Sequence, residues 1–193
     1  MLLAAHARRL NRQAGAPAIP SLYFFTDPER TPDPVASARA LPRGAAIVYR
    51  HFGAADRVRT ARALAAIARR RGLTLLIAAD PGLAERVGAD GVHWPEARMP
   101  KQRCACRLVT AAAHSAEALS QAASMGADAA TLSPVFPTAS ASGRAVLGLF
   151  RASQMARGAP LPVVALGGVN IANAAHLSGR GFSGIAAVSG LLA

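Results

Sequence analysis

Short apolar runs recur at near-regular intervals along the chain, at 22–26, 45–50, 73–78, 91–94, 108–112, 129–133, 162–166 and 184–188. Each is rich in Val, Ile, Leu or Ala at successive rather than alternate positions, the pattern of a strand buried on both faces. The stretches between them carry apolar residues at helical spacing instead. Asp56 stands where it can cap a segment in which Val58, Ala61, Leu64, Ala65 and Ala68 repeat, and Gly72 can end it. Asp80 followed by Pro81 is a second cap with proline at the first helical position. Ser115 opens an Ala-rich helix closing at Gly126, and Asn170 opens another closing near Gly181. The segment 97–103 contains Pro100 and little periodicity, so the fourth helix is the weak one, and no run for an eighth follows the last strand.

Strands alternating with helices predict βα units around a parallel sheet. The turns Gly88-Ala89-Asp90-Gly91-Val92 and Gly126-Ala127-Asp128-Ala129-Ala130 repeat one another, and Gly181-Phe182-Ser183-Gly184-Ile185 is a looser copy. Repeated helix-to-strand turns suit equivalent units closed on themselves. The expectation is an α/β fold, a single (β/α)8 TIM barrel over residues 1–193. Residues 1–20 form a short N-terminal helix and lead-in, and the last helix is missing. An open doubly wound sheet is the competing arrangement.

Length and composition narrow the partners. A chain of 193 residues, 52% hydrophobic, is that of one globular domain. No apolar run approaches the roughly 18 residues that cross a bilayer. The apolar start followed by Arg8, Arg9 and Arg12 reverses the order of a secretory signal. A cytoplasmic protein without a membrane partner is expected. The net charge of +12 admits nucleic acid, acidic surfaces or anionic small molecules. Much of the excess, Arg57, Arg59, Arg62, Arg69, Arg70 and Arg71, falls on one outer helix and reads as a solvated face. With aromatics at 5% and no nucleic-acid-binding motif, a nucleic-acid partner is not expected. Cys104 and Cys106 are too few for a metal site alone and read as free thiols.

Parallel barrels bind ligands where the C-terminal strand ends converge, and the last two turns there commonly hold phosphate. The seventh strand runs into Gly167-Gly168-Val169-Asn170, which lets backbone amides approach a ligand ahead of a helix start. The eighth runs into Val188-Ser189-Gly190, adding amides and a hydroxyl. A phosphate between these turns needs no basic side chain. His93 and His114 stand at strand ends facing the same mouth, and Trp94 is a candidate for stacking on a ring.

Four ordered stretches carry a resemblance: Gly88-Ala-Asp-Gly-Val-His93, Gly126-Ala-Asp-Ala-Ala-Thr-Leu-Ser-Pro-Val-Phe-Pro-Thr138, Pro162-Val-Val-Ala-Leu-Gly-Gly168 and Gly184-Ile-Ala-Ala-Val-Ser189. Together they resemble the thiamine phosphate synthase/TenI family, from about Ala45 to the end. The resemblance implies a barrel that joins hydroxymethylpyrimidine diphosphate to a thiazole phosphate and releases pyrophosphate. It implies that Gly168, Val188 and Ser189 hold the thiazole phosphate, while Arg50 and Thr138 face the pyrophosphate. With His93, these are the catalytic candidates. The resemblance also implies Mg²⁺, for which Asp80 and Glu96 are the weak candidate ligands. The chain departs from the family at several of its positions. Ala78-Ala79 replaces Asn-Asp, Arg98 replaces a second acid, and one cation is lost or replaced by His51. Ala112 replaces a serine, a lysine is absent at Ala141 with Arg144 the nearest cation, and Pro134 replaces the tautomerases' histidine. The alternative is therefore a non-catalytic or repurposed barrel that binds a phosphorylated thiazole-type ligand. Either way the partner is a small phosphorylated molecule, and a homo-oligomer is left open.

Overall fold

In the computed structural model, which describes residues 2–138, 143 and 145–188, all eight apolar runs are strands. They are β1 (Leu22–Phe25), β2 (Ala46–Tyr49), β3 (Thr74–Ala78), β4 (Gly91–Trp94), β5 (Leu108–Ala113), β6 (Ala129–Leu132), β7 (Val163–Ala165) and β8 (Phe182–Ala187). Each pairs in parallel with the next, and β8 closes on β1 through Leu22↔Ile185, Tyr23↔Ala186 and Phe24↔Ala187. That closure excludes the open sheet. It also explains why the runs are apolar at successive rather than alternate positions. Tyr23, Phe25, Val48, Leu76 and Val164 fill the barrel interior, while their neighbours Phe24, Ile47, Leu75 and Val163 pack outward against the helices.

Helices α1 (Leu2–Gln13), α2 (Pro34–Ala40), α3 (Arg57–Arg71), α4 (Pro81–Val87), α5 (Ala116–Met125) and α6 (Leu149–Gly158) surround the barrel. In α1, Leu3, Ala4, Ala7 and Leu10 are buried, and the helix packs against β8. Asn11 pins it at the N-terminal end of the barrel, donating to Ala16 O at 2.6 Å and to Ser183 O at 3.3 Å. The expected caps at Asp80 and Ser115 accept from Leu83 N at 2.8 Å and Ala118 N at 3.1 Å. Helix α2, absent from the expectation, starts with the same Asp-Pro signal: Asp33 accepts from Ala36 N at 2.8 Å and Pro34 follows.

Some expected ends differ. The Asp56 side chain makes no cap bond and instead accepts the Thr60 hydroxyl at 2.9 Å. The helix expected between Asn170 and Gly181 is only a 3-10 turn, Ala174–Leu177. Asn170 Oδ1 takes the amides of Ala172 and Asn173, and Asn173 Oδ1 takes that of Asn170. These side chains offer the backbone a local alternative to helical bonding. Between β4 and β5 there is likewise only the 3-10 turn Glu96–Arg98, in keeping with Pro100. The eighth-helix region, 189–193, lies outside the described residues.

The repeated turns have a common mechanical role. Asp90 accepts from Leu75 N at 2.8 Å while its own amide donates to Leu75 O at 2.9 Å. Asp128 does the same with Val109, at 2.7 Å in both directions. In the looser copy Ser183 donates its hydroxyl to Val163 O at 3.0 Å. Each turn thus ties the start of one strand to the strand before it and sets their stagger.

Candidate functional site

Closing the barrel brings the C-terminal strand ends together around a cavity of about 620 Å³. Among the sequence-predicted residues, Arg50, His93, Thr138, Gly167, Gly168 and Val188 all line it. Ser189, with Ala141 and Arg144, lies outside the described residues. Asp80 is not part of the wall, and neither is Trp94, which packs against the core instead.

On the β7 side, Gly167 and Gly168 both have positive φ, at 90° and 66°. A Cβ on Gly168 would sit 2.3 Å from Pro137 O, and one on Gly167 would sit 2.7 Å from the Cα of Pro134. The pair is pressed beneath the loop after β6, which is clasped to it by Val135 N→Leu166 O at 2.9 Å and Phe136 N→Gly167 O at 3.0 Å. This contact alone demands glycine. The amides of Gly167, Gly168 and Val169, however, make no hydrogen bond to any described residue. They are the donors left for an anion, since the asparagine turn consumes the amides that a following helix would have presented.

On the β1–β2 side the wall is cationic. Arg50 Nε donates to Thr26 O at 2.9 Å, and its guanidinium lies 5.2 Å from the centroid of the Phe25 ring. Asp27 bridges it to Arg30, at 3.6 Å from Arg50 Nη2 and 3.0 Å from Arg30 Nη2. Burial lowers the Arg50 pKa from its ordinary value, an effect that Asp27 opposes. Beyond them Phe52, half exposed, is flanked by the guanidinium groups of Arg57 and Arg98 at 5.2 and 5.3 Å from its ring centroid. Arg30 and Phe52 carry no sequence signal that separates them from other surface residues.

His93 forms part of the floor. Its Nδ1 lies 2.9 Å from Thr110 Oγ1 and its ring meets Phe25 edge-on at 5.0 Å. Burial, with a smaller contribution from Arg50, pushes its pKa down to about 3, so the ring is neutral at ordinary pH. Thr131 lines the same floor, and its buried hydroxyl has no described partner. Glu96 and His114 face the cavity as a pair, with 2.5 Å between Oε2 and Nδ1.

The carboxylates near the mouth do not suit a magnesium ion. Asp27 is taken by Arg30, Arg50 and the amides of Glu29 and Arg30. Glu96 is taken by His114, and Asp80 caps α4 and lies 3.8 Å from Arg57. Among the described residues no group of three or more His, Cys, Asp and Glu comes together. At the departures from the family pattern, Ala79 holds φ +52 with no ligating atom, and Arg98 presents a cation. His51, the candidate replacement for the missing cation, is buried against Tyr49 and outside the cavity wall.

Residues 22–191 match the family model described as thiamine monophosphate synthase. The thiamine-phosphate synthase of Thioalkalivibrio sulfidiphilus is 35% identical over 187 residues, covering 89% of this chain and 87% of that protein. That of Chloroflexus aurantiacus is 33% identical over 162 residues, covering 80% and 75%. Among solved structures, the thiamine phosphate pyrophosphorylase from Pyrococcus furiosus superposes with a TM-score of 0.76 at 28% identity, covering 95% of this chain and 87% of that one. With the closed barrel and a mouth assembled from the same ordered stretches, these likenesses settle the kinship: the chain belongs to the thiamine phosphate synthase/TenI family.

Proposed function

We propose that the barrel joins hydroxymethylpyrimidine diphosphate to a thiazole phosphate, forming thiamine phosphate and releasing pyrophosphate. The observation that carries this reading is a cavity with two separate ends whose hydrogen-bond donors suit anions. One is built of backbone amides at Gly167 and Gly168, and the other of guanidinium groups at Arg30 and Arg50 on the β1–β2 side, with β8 between them. Two substrates that each carry phosphate need such a pair of ends, with their reacting rings in the space between.

In this proposal Gly167, Gly168 and Val188, followed by Ser189, hold the thiazole phosphate. Arg50 faces the diphosphate, Thr138 reaches the cavity from the loop after β6 that covers Gly168, and neutral His93 with Thr131 forms the polar floor under the rings. The bond from the pyrimidine methylene to the diphosphate oxygen breaks, its electron pair leaving with the diphosphate, and the thiazole nitrogen supplies the pair for the new C–N bond. Arginines aimed at the departing oxygens stabilise the charge that develops there. The carboxylates present do not fit Mg²⁺, and no step is assigned to it. No described helix is long and apolar enough to cross a membrane, and a cytoplasmic site of action goes with the proposed substrates.

The substitutions Ala78-Ala79 and Arg98 favour a second reading, a barrel that binds the thiazole phosphate without coupling it. One assay separates the two. Purified protein is mixed with the pyrimidine diphosphate and the thiazole phosphate, with and without Mg²⁺, and thiamine phosphate is measured. Product above the uncatalysed background supports the synthase. Its absence at high protein concentration, together with calorimetric binding of the thiazole phosphate, rejects the synthase and retains the binder.

A further inference from the structure

We infer that this chain binds a diphosphate group without a divalent cation, through Arg30 and Arg50 in the cavity wall and Arg98 at its rim. The inference rests on the proposed diphosphate end of the cavity and states how that end works. Three observations lead to it. Arg30 and Arg50 are held side by side by one carboxylate, Asp27, so that their remaining N–H groups are oriented before any ligand arrives. A smaller concavity lined by Thr26, Asp27, Pro28, Arg50 and Phe52 continues the wall. Beyond it the Arg98 guanidinium lies over the Phe52 ring and makes no hydrogen bond to a described residue, so its side-chain donors are available.

The carboxylates of the same region are spent. Asp27 is shared by two arginines, Asp80 caps α4, and Glu96 holds His114. A cation entering here would meet guanidinium groups where it needs anionic oxygens, whereas a diphosphate meets planar donor forks suited to its oxygens. Magnesium in solution would then compete with the protein for the diphosphate rather than bridge the two.

Inorganic pyrophosphate is titrated calorimetrically into the full chain, in EDTA and in Mg²⁺ at matched ionic strength, with the variants Arg30→Ala, Arg98→Ala and, as a control on the outer face of α3, Arg70→Ala. The first two stand at the exposed rim, where truncation leaves the fold intact. The expected result is binding in EDTA that is as tight as in Mg²⁺ or tighter. Arg30→Ala and Arg98→Ala should each weaken it about tenfold, as loss of a charge-assisted contact does, and Arg70→Ala should leave it unchanged. Binding seen only with Mg²⁺, or tightened by it, overturns the inference, as do rim variants that bind like the parent. The coupling assay fails separately. Metal-free pyrophosphate binding without product sinks the coupling and keeps this inference. Product that requires Mg²⁺, with no binding in EDTA, does the reverse.

Discussion

Ala79 is the one described non-glycine residue with positive φ, at +52°. The left-handed conformation costs an alanine about 1–2 kcal/mol, partly offset in a glycine variant by the greater freedom of its unfolded chain. Ala79→Gly should therefore stabilise the fold by about 0.5 kcal/mol, and Ala79→Val should destabilise it by at least about 1 kcal/mol, an order that thermal unfolding will check. The Thr131 hydroxyl is buried with no described partner on the cavity floor. Thr131→Val removes that unpaired group at constant shape and should raise stability by about 1 kcal/mol, about 2–4 °C in Tm, while weakening ligand binding. His93 sets a pH dependence. Its folded pKa is near 3, against an ordinary 6.5. Between those values the unfolded chain takes up a proton that the folded chain refuses, so stability rises with pH through this window. On acidification below 6.5 this group alone removes up to about 1.4 kcal/mol per pH unit. Urea unfolding across that range should show the slope in the parent, and His93→Gln should flatten it.

At the scale of elements, the repeated turns and the glycine clasp make separable demands. Asp128 satisfies Val109 N at the start of β5 and pairs with Arg103 at 2.9 Å. Asp128→Ala leaves the amide of buried Val109 without its carboxylate partner and should cost about 1–3 kcal/mol with no direct effect on ligand binding, since Asp128 lies at the opposite end of β6 from the mouth. Gly168→Ala acts on both properties. Its Cβ would stand 2.3 Å from Pro137 O at φ +66°, so the loop over the clasp must move. A stability loss of about 2–4 kcal/mol is expected, with thiazole phosphate affinity falling at least about tenfold. Calorimetry on the folded variant checks the second quantity independently of the first.

Over the whole molecule, a net charge of +12 should cause weak adhesion to unrelated DNA duplexes. That adhesion should vanish by about 0.2 M salt, because it comes from counterion release alone; sequence-selective binding at that salt would contradict the solvated-face reading of α3. The barrel itself was legible because its signals are local. Runs apolar at successive positions, caps at Asp80 and Ser115, and glycines at Gly72 and Gly126 act within a few residues of sequence. Asn170 misled for the same reason: its side chain serves as well in a local turn as in a helix cap, and the choice depends on Asn173. The amide end of the site could be read from Gly167 and Gly168. Of the cationic end only Arg50 could be, through the resemblance, because Arg30 acquires meaning only when closure of β1 against β2 brings Asp27 between it and Arg50. Glu96, a candidate metal ligand in isolation, becomes the partner of His114 once β4 and β5 lie side by side. The chain alone determined eight buried strands and where their turns fall, since burial and capping act on neighbouring residues. Which carboxylates remained available, and which arginines came to line the cavity, was decided only by the closed barrel, where charges distant in sequence are brought together.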